Sequence, residues 1–339
     1  MDTIPKKRIR QIIILIGIAI VAFLIFRGLL PYLSGILGAI TLYVLLKGSM
    51  QKLINKGWKK STAASLLMFL SFIGILLPII GISLMMANKV QLAIQKSEKF
   101  MNAIQSHIHS LENQVGYDFY KELDVSAATS WVSENAQILI GNTFNLFIAI
   151  SIMYFMLYFM LTKPEKLRAG IYEYVPFNKK HLKIIIKDSS KMIRSNALGI
   201  PIVALAQGLI ALIGFLIFGI ENPLFWFVIV TIGSMIPFVG TLVGILPVFL
   251  IALANGNSFA AWGILLYGFI VVGSTDNIIR LYVLQKMDDV HPLITLIGVI
   301  IGIPLFGFIG LIFGPIFLSL FFIIIKMYKL EYVDPYEED

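Results

Sequence analysis

The chain has 339 residues, of which 58% are hydrophobic and only 14% are charged, and its formal net charge is +8. A soluble domain carries about 25% charged residues, so this composition argues against a soluble enzyme core and indicates an all-α, polytopic membrane protein. The absence of cysteine excludes disulfides, thiolate metal sites and cysteine nucleophiles. We assign the excess of Lys and Arg to loops retained in the cytoplasm, and we expect a lipid bilayer, not nucleic acid, as partner.

Four apolar segments occupy the N-terminal half of the chain, and the first two are predicted to join at Arg27 and Gly28. They cover residues 11–27, 31–46, 61–87 and 139–162. Stretches of this kind can cross a hydrocarbon core of about 30 Å. Lys and Arg concentrate before the first, after the second and after the fourth segment, which places those regions in the cytoplasm.

The same charge pattern places both termini in the cytoplasm, with residues 88–138 on the outside. In that outer stretch the apolar residues recur at spacings of three and four, as in Met101, Ile104 and Ile108. This period predicts a helical segment that packs either on its own neighbours or as a seam between subunits. Residues 1–87 read as scaffold, 139–196 as the fourth span with a basic cytoplasmic segment, and 327–339 as an acidic cytoplasmic tail.

Residues 197–326 are predicted to form the transport unit, because they contain two apolar segments that are interrupted by Pro and Gly. The broken segments, 223–254 and 292–326, each follow an unbroken span, at 197–220 and 258–283. A straight helix of 32 residues would measure about 48 Å, well beyond the hydrocarbon core. Proline and glycine at the centre of each broken segment allow the chain to reverse direction there. The predicted hairpin tips carry Pro237, Gly240, Pro304, Gly307 and Gly310.

Both breaks share a Pro-x-x-Gly pattern, which suggests one unit of span plus re-entrant hairpin that occurs twice in inverted orientation. With the four earlier segments this makes about eight hydrophobic segments. Broken helices at corresponding positions of an inverted repeat indicate a transporter substrate site. The alternative is two long kinked spans. The loop at 284–291 separates the two, since hairpins place it in the cytoplasm and kinked spans place it outside.

One polar cluster interrupts the apolar C-terminal half, formed by Ser274, Asp276, Asn277 and Arg280. Asp276 and Arg280 are four residues apart, so they share a helix face and can pair. A charge within a span costs about 2.5–3.5 kcal/mol, which favours a substrate or ion site, although a structural clasp is the alternative. Gln207 is the matching polar residue of the first unit, as either a ligand contact or a helix–helix hydrogen bond. No catalytic or metal-ligating set is expected.

In their order and spacing these motifs resemble the AI-2E family of transporters, the autoinducer-2 exporter-like group, over nearly the whole chain. The resemblance rests on Gln207-Gly208, Ile236-Pro-Phe-Val-Gly240 with Pro247, Asp276-Asn277 with Arg280, His291-Pro292, Phe306-Gly-Phe-Ile-Gly310 and Gly314-Pro315.

The resemblance implies a secondary-active transporter or exporter of a small solute, with an autoinducer-2-like metabolite or Na⁺/H⁺ exchange as the family's proposed activities. It also implies a homo-oligomer, with a pentamer as one arrangement. An elevator or rocking motion follows if the hairpins are real. Asp276 is the candidate residue for coupling transport to H⁺ or Na⁺. No other cofactor is expected. The alternatives are an oligomeric channel or a Na⁺/H⁺ antiporter, and an enzyme is not expected.

Overall fold

A computed structural model of the chain describes residues 6–78, 80–81, 143–174, 179–236, 240–275, 278–279 and 292–328. The elements in these ranges are all helices. Five helical stretches are long and apolar enough to cross a membrane, or six if a bent pair counts as one span. This confirms the all-α, polytopic prediction. The count of eight segments and the inverted repeat stay predictions, and residues 88–138 and 329–339 lie outside the described ranges.

The first two helices are α1 (Lys6–Leu29) and α2 (Leu33–Asn55), joined by a 3₁₀ turn at Leu30–Tyr32. The predicted joint at Arg27 and Gly28 is wrong, because both residues lie inside α1. The helix instead changes to a 3₁₀ turn at Pro31, which has no N–H to donate to the carbonyl of Arg27. Residues 10–55 count together as one of the five long apolar stretches, so the first two predicted segments are not separated there. The described side chains of residues 10–31 are exposed, so α1 buries nothing against the rest of the chain and leaves its apolar surface open.

The N-terminal bundle consists of α2, α3 (Lys60–Pro78) and α4 (Thr143–Thr162). Its core is apolar and includes Ala39, Ala64 and Leu157. After α4 the chain bends by 98° into the short helix α5 (Pro164–Tyr174). Pro164 occupies the first position of α5, where the backbone N–H of any residue would have no partner within the helix.

The long helix α6 (Lys179–Ile217) connects the two halves of the molecule. At 39 residues it measures about 58 Å. The predicted fifth span, 197–220, therefore starts inside α6 and not at its beginning. The basic segment before it is also helical, and its apolar side chains Met192 and Ile193 are buried. These two residues share a core with Leu37 of α2 and Phe313 near the C-terminus.

The C-terminal half contains two helical hairpins with a helix between them. Hairpin 1 (residues 223–254) is α7 (Pro223–Gly233) and α8 (Gly240–Ala254). The helix α9 (Ser258–Tyr267) follows and continues through a π-helical turn at Gly268–Val272. Hairpin 2 (residues 292–328) is α10 (Pro292–Phe306), a 3₁₀ turn at Gly307–Ile309 and α11 (Gly310–Tyr328).

The chain reverses direction at the break in hairpin 2. A Cβ on Gly298 would collide with the backbone of Pro315, whereas a continuous helix would hold these residues about 25 Å apart. The reversal starts at Gly307, whose φ of +62° lies in the left-handed region that glycine adopts without strain. A single kinked span does not fit this geometry, although residues 293–325 taken together have the length and apolarity of one. The re-entrant placement in a membrane stays a prediction.

Candidate transport site

The two hairpins meet on the middle of α6. Met235 and Ile236, at the end of α7, pack against Val299 and Leu311 of hairpin 2 and against Ile200 of α6. Each contact buries apolar surface worth about 25 cal/mol per Å². Met235 and Ile236 of hairpin 1 are therefore held between α6 and both helices of hairpin 2.

Gln207 lies on the same face of α6 as Ile200, because seven residues are close to two helical turns. Its side chain is only 1% exposed, and its Nε2 has no hydrogen-bond partner among the described residues. The neighbouring Gly208 lets α7 approach closely, since a Cβ there would collide with Thr231. A buried amide without a partner costs about 1–3 kcal/mol, so the Gln207 donor favours a hydrogen-bonding ligand over a purely structural role.

Three buried serine hydroxyls also lack partners among the described residues, and sequence reasoning missed all of them. They are Ser195 on α6, Ser234 at the end of α7 and Ser319 on α11. A hydroxyl inside a helix commonly donates to the carbonyl four residues earlier, as Thr231 does to Phe227 at 2.7 Å. The signal available in the sequence was the presence of small polar residues inside otherwise apolar helices.

Asn196 links α6 to hairpin 2. Its Nδ2 donates a hydrogen bond to the carbonyl oxygen of Ile312 at 3.3 Å. Prolines add backbone acceptors nearby: Pro201 in α6 and Pro315 in α11 have no N–H for the carbonyls of Ala197 and Leu311. Carbonyls freed in broken helices are the groups that coordinate cations in transporters.

Three of the predicted tip residues lie at the chain reversals. Gly307 begins the turn of hairpin 2, and Gly310 begins α11 where a Cβ would collide with the backbone of Gly302. Gly240 begins α8 against the backbone of Gly233. Pro304 lies within α10, one turn before the reversal, and is exposed.

The predicted polar cluster is described only in part. Ser274 is exposed, in the helical continuation of the π-helical turn, so the structure does not bury it with Gln207. π-helical turns often occur at functional sites, and the sequence did not predict this one. Asp276, Asn277 and Arg280, together with Pro237 of hairpin 1, lie outside the described residues, so their roles stay predictions.

The buried side-chain groups without partners among the described residues are all uncharged: the amide of Gln207 and the hydroxyls of Ser195, Ser234 and Ser319. Such groups suit a small polar solute or a cation that has lost part of its hydration shell. In the ranges that the structure describes, no group of three or more His, Cys, Asp or Glu residues could hold a metal ion.

Comparison with known proteins assigns a family. A sequence model described as AI-2E family transporter matches residues 12–330. A protein of Aquifex aeolicus whose name proposes a transport role is 25% identical over 234 residues, which are 69% of this chain and 62% of that protein. BU123 of Buchnera aphidicola, with a similar name, is 32% identical over 184 residues, which are 52% of this chain and 49% of that protein. The matched region thus spans less than two thirds of either relative.

Proposed function

This chain belongs to the AI-2E family of transporters, and we propose that it is a secondary-active membrane transporter that exports or exchanges a small solute. The observation that carries the proposal is the meeting of both hairpins on α6, the helix that also carries the buried Gln207, whose Nε2 has no partner among the described residues. Pairs of broken helices that meet in this way supply uncharged groups to a substrate while keeping their backbone away from lipid.

Alternating access in this proposal is an elevator or rocking motion of the hairpins. The N-terminal bundle is the scaffold, because its core of Ala39, Ala64 and Leu157 is separate from the core of hairpin 1. The joint between the two parts is the cluster in which Met192 and Ile193 of α6 pack against α2 and α11. Tight packing makes such a joint switch between discrete arrangements instead of deforming gradually.

The proposed substrate is an autoinducer-2-like metabolite or another small polar solute, coupled to H⁺ or Na⁺. The uncharged hydrogen-bonding groups near α6 support a neutral, polar substrate. Asp276 is the proposed coupling residue, because a carboxylate within an apolar segment is retained at a cost of about 2.5–3.5 kcal/mol. Na⁺/H⁺ exchange through the same residues is the second candidate, and it is favoured by the carbonyls that Pro201 and Pro315 leave without helical donors.

The proposed assembly is a homo-oligomer, with a pentamer as one arrangement, in the inner membrane of a bacterium. Support comes from α1, whose apolar side chains such as Ile13, Phe23 and Leu24 are exposed along the helix. This surface must be covered by lipid or by protein. Mass measurement of the detergent-solubilised protein, combined with crosslinking through single cysteines in α1, tests whether α1 faces another subunit.

The test of function is flux in proteoliposomes under imposed H⁺ or Na⁺ gradients. Transport that saturates with substrate and depends on one gradient supports secondary-active transport, whereas linear, gradient-independent flux indicates the channel alternative. Asp276→Asn is expected to abolish coupling to the ion. Glu221→Gln is the matched control, because it neutralises an exposed carboxylate before hairpin 1. Unchanged flux and ion dependence in Asp276→Asn would contradict the coupling role.

A further inference from the structure

A second site lies in the N-terminal bundle, apart from the hairpins. An open cavity of about 410 Å³ is bounded by the polar end of α2, the start of α3 and the bend between α4 and α5. Its floor is apolar, because Met50 and Leu161 also belong to the core of the bundle. The residues that give its wall polar character are Tyr43, Lys47, Gln51, Lys60, Glu165 and Arg168.

The cavity carries an excess of positive charge. Glu165 is the one acid among its lining residues, and its Oε1 lies 3.8 Å from Nζ of Lys60. That leaves Lys47 and Arg168 with no carboxylate in the lining to offset their charge. Lys47 and Arg168 both line the cavity, so their like charges repel one another there. An anion in the cavity would relieve this repulsion.

The position of the cavity also indicates what carries the anion. Trp58, in the turn between α2 and α3, is exposed beside Lys60, and tryptophan is enriched at the membrane–water interface. The helix α4, which lines the cavity through Leu161, also presents the exposed rings of Phe155 and Phe159. Lys163 lies 5.5 Å from the centroid of the Phe159 ring. The cavity therefore lies at the basic end of a bundle whose helix α4 also carries an exposed apolar surface, a combination that suits a ligand with a charged headgroup and apolar chains.

We propose that this cavity binds a phosphate group, carried by the headgroup of an anionic phospholipid whose acyl chains lie along α4. The guanidinium of Arg168 can bind phosphate oxygens in a bidentate manner, and Lys47 supplies a second positive charge. Tyr43 and Gln51 supply uncharged donors at the same wall. Basic pockets between membrane helices on the cytoplasmic side bind lipid headgroups for these reasons. The site is independent of the transport site.

The test is native mass spectrometry of the full-length protein, released from detergent in the presence of phosphatidylglycerol or phosphatidylcholine. The wild type is expected to retain phosphatidylglycerol over phosphatidylcholine. The double variant Lys47→Gln with Arg168→Gln is expected to bind phosphatidylglycerol at least about tenfold more weakly, at about fivefold for each cation removed. The matched control is Lys52→Gln with Lys56→Gln, which removes the same charge from exposed positions outside the lining.

Glu165→Gln is expected to act in the opposite direction. It removes the one lining carboxylate, so phosphatidylglycerol binding should strengthen about fivefold. Thermal unfolding in phosphatidylcholine nanodiscs checks that each variant folds, and the single variant Arg168→Gln, at an exposed position, replaces the double variant if that one does not.

Two results would overturn the proposal. One is an equal decrease in phosphatidylglycerol binding in the double variant and in its control, which would show that the overall charge of the protein and not the cavity causes the effect. The other is no preference of the wild type for phosphatidylglycerol. Inorganic phosphate in phosphatidylcholine nanodiscs distinguishes the source: if it stabilises the wild type at lower concentration than phosphatidylglycerol does, the lipid assignment fails and the occupant is a soluble phosphate compound.

Discussion

Gly302 and Gly310 face each other across hairpin 2, so closely that a Cβ on Gly302 would lie 2.5 Å from the carbonyl oxygen of Gly310. Contact between the backbones of α10 and α11 leaves no room for lipid or water between the two helices. Small residues permit this packing in membranes, where van der Waals contact is a main driving force for helix association. The hairpin is therefore a compact unit that can move as one body.

Gly302→Ala is expected to lower the free energy of unfolding by about 1–3 kcal/mol, because the added methyl group must push two backbones apart. Unfolding of the purified protein in detergent, by heat or by denaturant, measures the change. Gly74→Ala in α3 is the control, since a Cβ there meets nothing within 4 Å. In an exposed helix that substitution should be neutral or stabilising by up to about 1 kcal/mol. Equal effects at the two positions would show that the close approach is not maintained.

Gln207→Leu is expected to separate stability from transport. The leucine removes a buried donor that has no partner among the described residues, so the free energy of unfolding should stay within about 1 kcal/mol of the wild type or rise. Flux in proteoliposomes should fall strongly, because the donor offered to the substrate is lost. Gln11→Leu, in the exposed part of α1, is the control for both measurements. A stable variant with full flux would remove Gln207 from the site.

Asn196→Leu is expected to lower the free energy of unfolding by about 0.5–1.5 kcal/mol, the usual net contribution of one hydrogen bond. The bond in question joins Asn196 to the carbonyl of Ile312 and is partly buried. The control is Gln51→Leu, which removes an exposed amide bond of 2.8 Å to Asn55 and should cost only about 0.2–0.5 kcal/mol. If the control costs as much as Asn196→Leu, the link between α6 and hairpin 2 contributes little.

Apolar length and the placement of Pro and Gly predicted the all-α class and the two chain reversals, because both are local properties of the sequence. The joint between the first helices was misplaced for a physical reason: proline interrupts a helix more strongly than glycine does, and Pro31 outweighs Gly28. The basic cavity was not predictable, since Lys47, Lys60 and Arg168 come from three helices. The burial of Ser195, Ser234 and Ser319 was not predictable either, since it depends on how the helices pack.

Placement of residues 286–290 relative to the membrane tests whether the two hairpins form an inverted repeat. A single cysteine introduced at Asp288 is expected to react with a membrane-impermeant maleimide in inverted vesicles and not in intact cells. Because the chain has no cysteine of its own, each label reports one position. Lys56→Cys is the cytoplasmic reference and Glu221→Cys the external one, since the predicted side of both is the same under either topology. Labelling at position 288 that matches Glu221→Cys would defeat the inverted repeat, because hairpin 2 would then begin on the outside.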